Sequence, residues 1–254
     1  MAGRVEGKIA LITGGASGVG RATVELMVKE GAQVVFTDLN VEAGEALAAS
    51  LGDKAVFMRQ DAASAADWDA VMAMLRERFG RLDILVNNAG ILIKGSIEDA
   101  TLDDWQRLMR VNADSVFLGC KAGLALIKES GDGGSIINMS SIAGIAAKDD
   151  YAAYGASKAA IAGLTRAVAA HCRRAKYRIR CNSIHPDGVM TPMTAGSYPK
   201  GLDPARITID GDPMNRACLP TDVAAAILFL ADDASRAVNG IELRVDSGQF
   251  VMSI

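Results

Sequence analysis

The segment KIALITGGASGVGRATVELMVKEGAQVVFTDLN, residues 8–40, decides the fold. Ile9 to Ile12 form an apolar run, Thr13 to Gly20 hold four glycines, Arg21 to Lys29 repeat apolar residues at helical spacing, and Val34 to Thr37 form a second run. This order reads as strand, glycine turn, helix, strand. Neither strand alternates polar with apolar residues, as expected where helices cover both faces of a parallel sheet. Gly14, Gly18 and Gly20 let the backbone turn sharply and approach a ligand, and the amides that open the helix then face the place a pyrophosphate occupies. The spacing is Gly-x-x-x-Gly-x-Gly rather than Gly-x-Gly-x-x-Gly. A glycine turn alone is also compatible with a tight structural connection. Asp38 discriminates: it ends the second strand eighteen residues after Gly20, where a carboxylate accepts hydrogen bonds from an adenosine ribose. A carboxylate there repels the extra phosphate of NADP. Gly15, Ala16, Leu39 and Asn40 offer no cation to hold that phosphate, and Arg21 falls inside the helix, facing solvent. The reading is therefore NAD, with an Asp38 that merely caps a turn as the alternative.

Outward from this unit, strand-like runs recur near 8–12, 33–37, 55–59, 82–86, 135–139, 179–184 and 241–245, with helical stretches between them. The alternation places the chain in the α/β class, as a seven-stranded, doubly wound parallel sheet flanked by helices. A length of 254 residues suits one such domain, 1–254, and half the residues are hydrophobic. The irregular stretch at about 190–219 carries Pro192, Pro199, Pro204 and Pro213; loops this long are usually functional or mobile. The formal charge of −3 argues against a nucleic-acid partner, and the basic cluster Arg173, Arg174, Lys176, Arg178 and Arg180 reads as a solvated helix end. No apolar run approaches the ~20 residues that span a bilayer, and MAGRVEGK holds no signal-peptide core. Cys120, Cys172, Cys181 and Cys218 lack metal or disulfide spacing and read as reduced, buried thiols. Two histidines, His171 and His185, cannot build a familiar zinc site, so no metal is expected. These features point to the cytoplasm.

The run YAAYGASKAAIAGL adds chemistry. Tyr154 and Lys158 stand four residues apart and so share one helix face. A lysine cation beside a phenol favours the phenolate and lowers a pKa of about 10, giving a proton-transfer group usable near neutrality. An isolated pair of this kind also arises by chance on helix surfaces. Tyr151 has Gly155 where the lysine would stand, and so reads as a bystander.

Taken together, TGGASGVG, Asp38, Asp61, NNAG at 87–90, Asn112, NMSS at 138–141, YGASK at 154–158 and HPDGVMTP at 185–192 resemble the short-chain dehydrogenase/reductase family over essentially the whole chain. The segments NNAGIL, SIINMSS and IRCNSIHPDG are most similar to its bacterial 3β/17β-hydroxysteroid dehydrogenases. The resemblance implies a Rossmann domain with Asn112, Ser141, Tyr154 and Lys158 as the catalytic set. Ser141 and Tyr154 would meet the substrate, and Ser140 would be a structural hydroxyl. Cofactor contacts carried over are Gly14, Ser17, Gly18, Val19, Gly20, Asp38, Leu39, Asp61, Ala62, Asn88, Ala89, Gly90, Val111, Tyr154, Lys158, Pro186, Val189 and Thr191. Asn87 would brace neighbouring strands, His185 would be a packed residue, and segment 190–219 would order over the cofactor. The pattern departs at Asp187, where a glycine usually follows the proline, and at Ser247, where a glycine is common. Relatives form tetramers through the helices around 103–128 and 154–174, so a homotetramer is expected.

Ile91, Leu92, Ile93, Ile142, Ile145, Met190 and Met193 flank these motifs without a lysine or arginine among them. Such a mouth suits a bulky apolar secondary alcohol or ketone such as a hydroxysteroid, although isoleucine and methionine beside strands are also ordinary core. A 3-oxoacyl thioester reductase, a small polyol dehydrogenase and a non-catalytic dinucleotide sensor are the alternatives.

Overall fold

A computed structural model describes residues 3–198, 201–203 and 206–252. Seven strands, β1 (Ile9–Thr13), β2 (Gln33–Asp38), β3 (Ala55–Arg59), β4 (Ile84–Asn87), β5 (Gly134–Met139), β6 (Ile179–Pro186) and β7 (Glu242–Val245), pair in the order β3-β2-β1-β4-β5-β6-β7. Every pairing is parallel. The continuous apolar strands have the expected cause. From β1, Ala10 and Ile12 face one core with Val24, Met27, Ile227 and Leu230. Ile9 and Leu11 face the other, with Trp68, Leu75, Val116 and Ile161. The first core lies under α1 (Gly18–Lys29), α2 (Val41–Leu51) and α7 (Pro220–Ala231); the second lies under α3 (Ala65–Phe79), α5 (Ser115–Ser130) and α6 (Ala152–Arg174). Complete burial of an aliphatic side chain contributes roughly 1.5–3 kcal/mol, so the sheet is held from both faces.

Local signals set the helix ends. Asn40, Ser64 and Thr101 accept from the Ala43, Asp67 and Asp104 amides and thereby cap α2, α3 and α4 (Leu102–Leu108). Gly80 ends α3 at φ 70°, a conformation glycine adopts without steric cost. The helix expected around 103–128 is instead three pieces: α4, a π-helical turn over Met109–Asp114, and α5. Segment 190–219 is less irregular than the prolines imply. It opens with a 3₁₀ turn over Pro192–Ser197 and is tied down by the bridges Val189–Cys218 and Thr208–Ala217; Pro199 and Pro204 lie outside the described residues. Ser247 holds φ 51°, so the glycine common at that position would relieve a left-handed backbone.

Asn87 braces strands as expected: its Nδ2 donates to Asn138 Oδ1 at 2.8 Å, and Asn138 Nδ2 donates to Thr165 Oγ1 at 2.9 Å. Arg180 is not part of a solvated helix end. It lies in β6 and donates to the Leu230 carbonyl at 2.7 Å. All four cysteines are free and buried. Among the described residues no helix is long and apolar enough to cross a membrane, and no group of three or more His, Cys, Asp or Glu is placed to hold a metal. Replacing Asn138 by Ala strands the Asn87 and Thr165 partners in the core. The expected loss is about 2–4 kcal/mol of unfolding free energy, read from urea denaturation.

Candidate active site

The strand order reverses between β1 and β4: the chain runs from β1 outward to β3 and then returns to β4 on the other side of β1. In parallel sheets a ligand crevice opens at the carboxyl ends of the strands at such a point. Thr13 and Asn88 tie the two strand ends together there. Thr13 Oγ1 accepts from the Asn88 and Ala89 amides at 3.0 and 3.1 Å, while Asn88 Nδ2 donates to the carbonyls of Thr13 and Gly14 at 2.9 and 3.0 Å. A groove of about 310 Å³ lies above them. Every carried-over cofactor residue lines it except Gly20. A Cβ on Gly20 would lie 1.9 Å from the Gly14 carbonyl oxygen, so this glycine serves the close packing of turn and helix rather than a ligand.

The groove's nucleotide end fits a dinucleotide. Gly14 stands at φ 65°, and a Cβ on it would come within 2.9 Å of Ala89 Cα. Gly18 stands at φ 53° with Thr191 beside it. Among the described residues Ser17 supplies no side-chain cap to α1, and the first turn of α1 holds no acidic group. Its opening amides are thus left for an anion. Asp38 is fixed from both sides, accepting from the Ala16 amide at 3.1 Å and the Asn40 amide at 3.0 Å. Arg21 pairs with Glu25 on the exposed face of α1, as expected. Asp61 Oδ1 accepts from the Ala63 amide at 2.9 Å, and Arg110 stands 3.8 Å from its other oxygen. Gln60 was not anticipated. It lines the groove, its Oε1 accepts from Thr37 Oγ1 at 2.6 Å, and its Nε2 is buried with no protein partner among the described residues.

The chemical end forms where β5 meets α6. β5 stops at Met139, and Ser141 caps a 3₁₀ turn over Ile142–Gly144, its Oγ accepting from the Ala143 amide at 3.2 Å. Ser140 is structural, donating to the Lys158 carbonyl at 2.8 Å. Lys158 Nζ donates to the Met139 carbonyl at 3.0 Å and lies 5.8 Å from the centre of the Tyr154 ring. The expected lowering of the tyrosine pKa by this lysine is not what the protein groups produce. Burial pushes Tyr154 up to about 12, opposed by the Ser141 hydrogen bond, with Tyr151 adding to the rise. Burial also pulls Lys158 down to about 8. Desolvation, which disfavours the charged form of each, is the first cause of both shifts.

Asn112 does not touch the groove. The π turn carries it into the core, where Oδ1 accepts from the Ile91 amide at 2.8 Å and Nδ2 donates to the Ile91 carbonyl and to Ser157 Oγ, each at 3.0 Å. π turns inside helices often mark functional positions. A Cβ on Gly90 would meet Asn112 Oδ1 at 3.1 Å and Lys158 Nζ at 3.4 Å, so this glycine keeps the wall thin between them. The Tyr151 ring meets Tyr154 edge-on at 5.4 Å. Ile91, Leu92, Ile93 and Tyr151 pack on the Leu108–Ala143–Ala153–Tyr154 cluster, while Met193 is half exposed at the groove edge. His185 is wholly buried, bonded through Nδ1 to the Ser141 carbonyl at 3.0 Å and through Nε2 to Ser183 Oγ at 2.9 Å. Burial lowers its pKa. A neutral ring donating from Nδ1 and accepting at Nε2 satisfies both contacts.

A dinucleotide groove at the switch point, ending in a serine beside a buried tyrosine–lysine pair, defines a nicotinamide-dependent oxidoreductase. A family model described as enoyl-(acyl carrier protein) reductase matches residues 14–249. The 3-beta-hydroxysteroid dehydrogenase of Comamonas testosteroni is 48% identical, with 100% of both chains covered. The 3-alpha-(or 20-beta)-hydroxysteroid dehydrogenase of Mycobacterium tuberculosis is 44% identical over 98% of this chain and 91% of its own. An NADP-dependent (R)-specific alcohol dehydrogenase of Lentilactobacillus kefiri is 37% identical over 98% of each. The chain belongs to the short-chain dehydrogenase/reductase family.

The buried lysine makes a pH prediction. Its folded pKa lies below its unfolded value of 10.5, so between about 8 and 10.5 the unfolded chain binds more protons and stability rises with pH. Wild type is expected to gain stability relative to Lys158→Met across that window, measured by urea denaturation at successive pH values. A constant difference would refute a Lys158 pKa lowered by burial in the folded protein.

Proposed function

We propose that the protein interconverts a secondary alcohol and its ketone, with NAD as the dinucleotide and a hydroxysteroid or another bulky apolar or cyclic alcohol as substrate. The observation that carries this reading is the placement of Tyr154. Its buried phenol lines the groove beside Ser141 and backs onto the apolar wall of Ile91, Leu92, Ile93 and Tyr151. Such a wall suits the rings of an apolar alcohol better than a polyol, which needs polar partners. The high identity to hydroxysteroid dehydrogenases supports the same substrate class.

In this reading the Ser141 hydroxyl donates to the substrate oxygen and Tyr154 exchanges the proton with it, as base for alcohol oxidation and as acid for ketone reduction. Bound nicotinamide supplies the hydride chemistry. Lys158 holds the nicotinamide ribose, and Asn112 fixes the Ile91 backbone that borders the substrate. Asn88, Ala89, Gly90 and Val111 shape the middle of the groove, and Pro186, Val189 and Thr191 border its nicotinamide end. Asp38, held by two backbone amides, receives the adenosine ribose and disfavours NADP. We place the enzyme in the cytoplasm as a homotetramer built through α4–α5 and α6. Trp105 and Phe117, 43% and 52% exposed, offer apolar surface for such contacts.

The test is NADH formation from a panel of 3β- and 17β-hydroxysteroids, cyclohexanol, short secondary alcohols and polyols, each with NAD and NADP. Steroid oxidation with NAD, rising toward alkaline pH as Tyr154 loses its proton, is the expected outcome. Turnover of small alcohols alone would sink the steroid assignment. Tyr154→Phe is expected to lower kcat by about 10²–10⁴-fold, and unchanged dinucleotide reduction in that variant would remove Tyr154 from the mechanism. Asp38→Ala is expected to lose the preference for NAD; equal NAD and NADP efficiencies in the wild type would overturn the cofactor choice.

A further inference from the structure

Asp187 occupies the position where the family pattern has a glycine, and its carboxylate is far from idle. The side chain is 2% exposed. Lys148 Nζ reaches one oxygen at 3.4 Å, and Arg216 Nη2 reaches the other at 2.5 Å. The partners lie 39 residues before it and 29 after it, so two segments distant in the chain meet on one carboxylate that itself lines the groove. The carboxylate stands on a rigid post. Its own amide donates to the Val245 carbonyl at 3.1 Å, continuing the β6–β7 ladder. The Gly188 carbonyl then accepts from the Cys218 amide at 2.8 Å, and the Met190 amide donates to the Cys218 carbonyl at 3.0 Å. A Cβ on Gly188 would lie 2.7 Å from the Tyr198 hydroxyl, so the strand end is filled on that side as well.

The connection runs on to the proposed acid. Lys148 Nζ sits 5.2 Å from the centre of the Tyr151 ring, and that ring packs edge-on against Tyr154. One desolvated carboxylate therefore joins the turn that follows Ser141, the aromatic wall beside Tyr154 and the return leg of the substrate segment. A buried carboxylate with matched cations keeps its geometry because losing either partner leaves an uncompensated charge.

We infer that Asp187 is a positioning residue for substrate: by holding Lys148 and Arg216 it sets the distance between the Tyr151 wall and the Arg216–Cys218 leg, and so fixes the width of the alcohol-binding mouth. It takes no part in proton transfer and does not hold the dinucleotide. The kinetic side of this inference rests on the alcohol-oxidoreductase reading above; the structural side does not.

The experiment uses the full chain with saturating dinucleotide and compares wild type with Asp187→Asn, Arg216→Gln and the double variant. Asp187→Asn is expected to raise the KM for the alcohol roughly tenfold with kcat and NADH affinity nearly unchanged. Arg216→Gln should move KM in the same direction, and the double variant should be no worse than Asp187→Asn alone, because the Arg216 ion pair is already lost with the carboxylate. In parallel, limited trypsin digestion of wild type and Asp187→Asn is followed by mass, since the peptide bonds after Lys148 and Arg216 are themselves trypsin sites. Faster cleavage at both sites, with other sites unchanged, is expected once the carboxylate is gone. A fall in kcat at constant KM, a parallel loss of NADH affinity, additive single effects or unaltered cleavage would each overturn the assignment. If wild type oxidises no alcohol on the panel, the functional reading fails, and the digestion still decides whether Asp187 holds the two segments.

Discussion

Thr13 and Asn88 exchange four hydrogen bonds between the ends of β1 and β4, two through the Thr13 hydroxyl and two through the Asn88 carboxamide. The site depends on this crosslink because the two strands are neighbours in space and far apart in the chain. Without it, the glycine turn after β1 and the Asn88–Gly90 turn after β4 could each take its own path. With it, the turns form one continuous floor, and the first-turn amides of α1 face the same groove as Gly90. The crosslink is part-buried, and four hydrogen bonds there give a defined geometry rather than a large net energy.

The other constraint is electrostatic. Tyr154 and Lys158 are both withdrawn from water, and each is driven toward its neutral form, one upward and the other downward. The hydrogen bonds that oppose this withdrawal come from elements fixed by other means. Met139 offers a strand-end carbonyl, and Ser141 offers a hydroxyl on a short 3₁₀ turn whose own carbonyl is held by His185. The cluster is thus poised for proton exchange, since small changes in local charge move groups that desolvation already holds far from their ordinary values.

The sheet was legible because burial on both faces writes each strand as an uninterrupted apolar run. All seven strands fall within a few residues of the runs read from the sequence. The site's outline was legible for a different reason: glycines, Asp38 and the Tyr154–Lys158 spacing are local patterns. What escaped, the Asn87 brace apart, were the contacts made between residues distant in the chain. Nothing near Thr13 announces Asn88, and nothing near Asp187 announces Lys148 or Arg216. The inward turn of Asn112 left no mark in the sequence because a π turn keeps helical composition while rotating the side chain inward. The pKa of Tyr154 was misjudged because spacing reports proximity and is silent about burial. The orphaned Gln60 amide, likewise, is visible only once the groove around it exists.

The reversal of strand order between β1 and β4 also bears on how the chain is made. During synthesis β1, β2 and β3 emerge first and can pair with one another. The second edge of β1 stays open until β4 arrives, about 70 residues after β1. An open parallel edge with wholly apolar faces is a template for wrong partners. The nascent half-sheet is therefore open to wrong pairing along β1 until β4 arrives. The Asn88 crosslink that completes the groove is also the contact that ends that exposure.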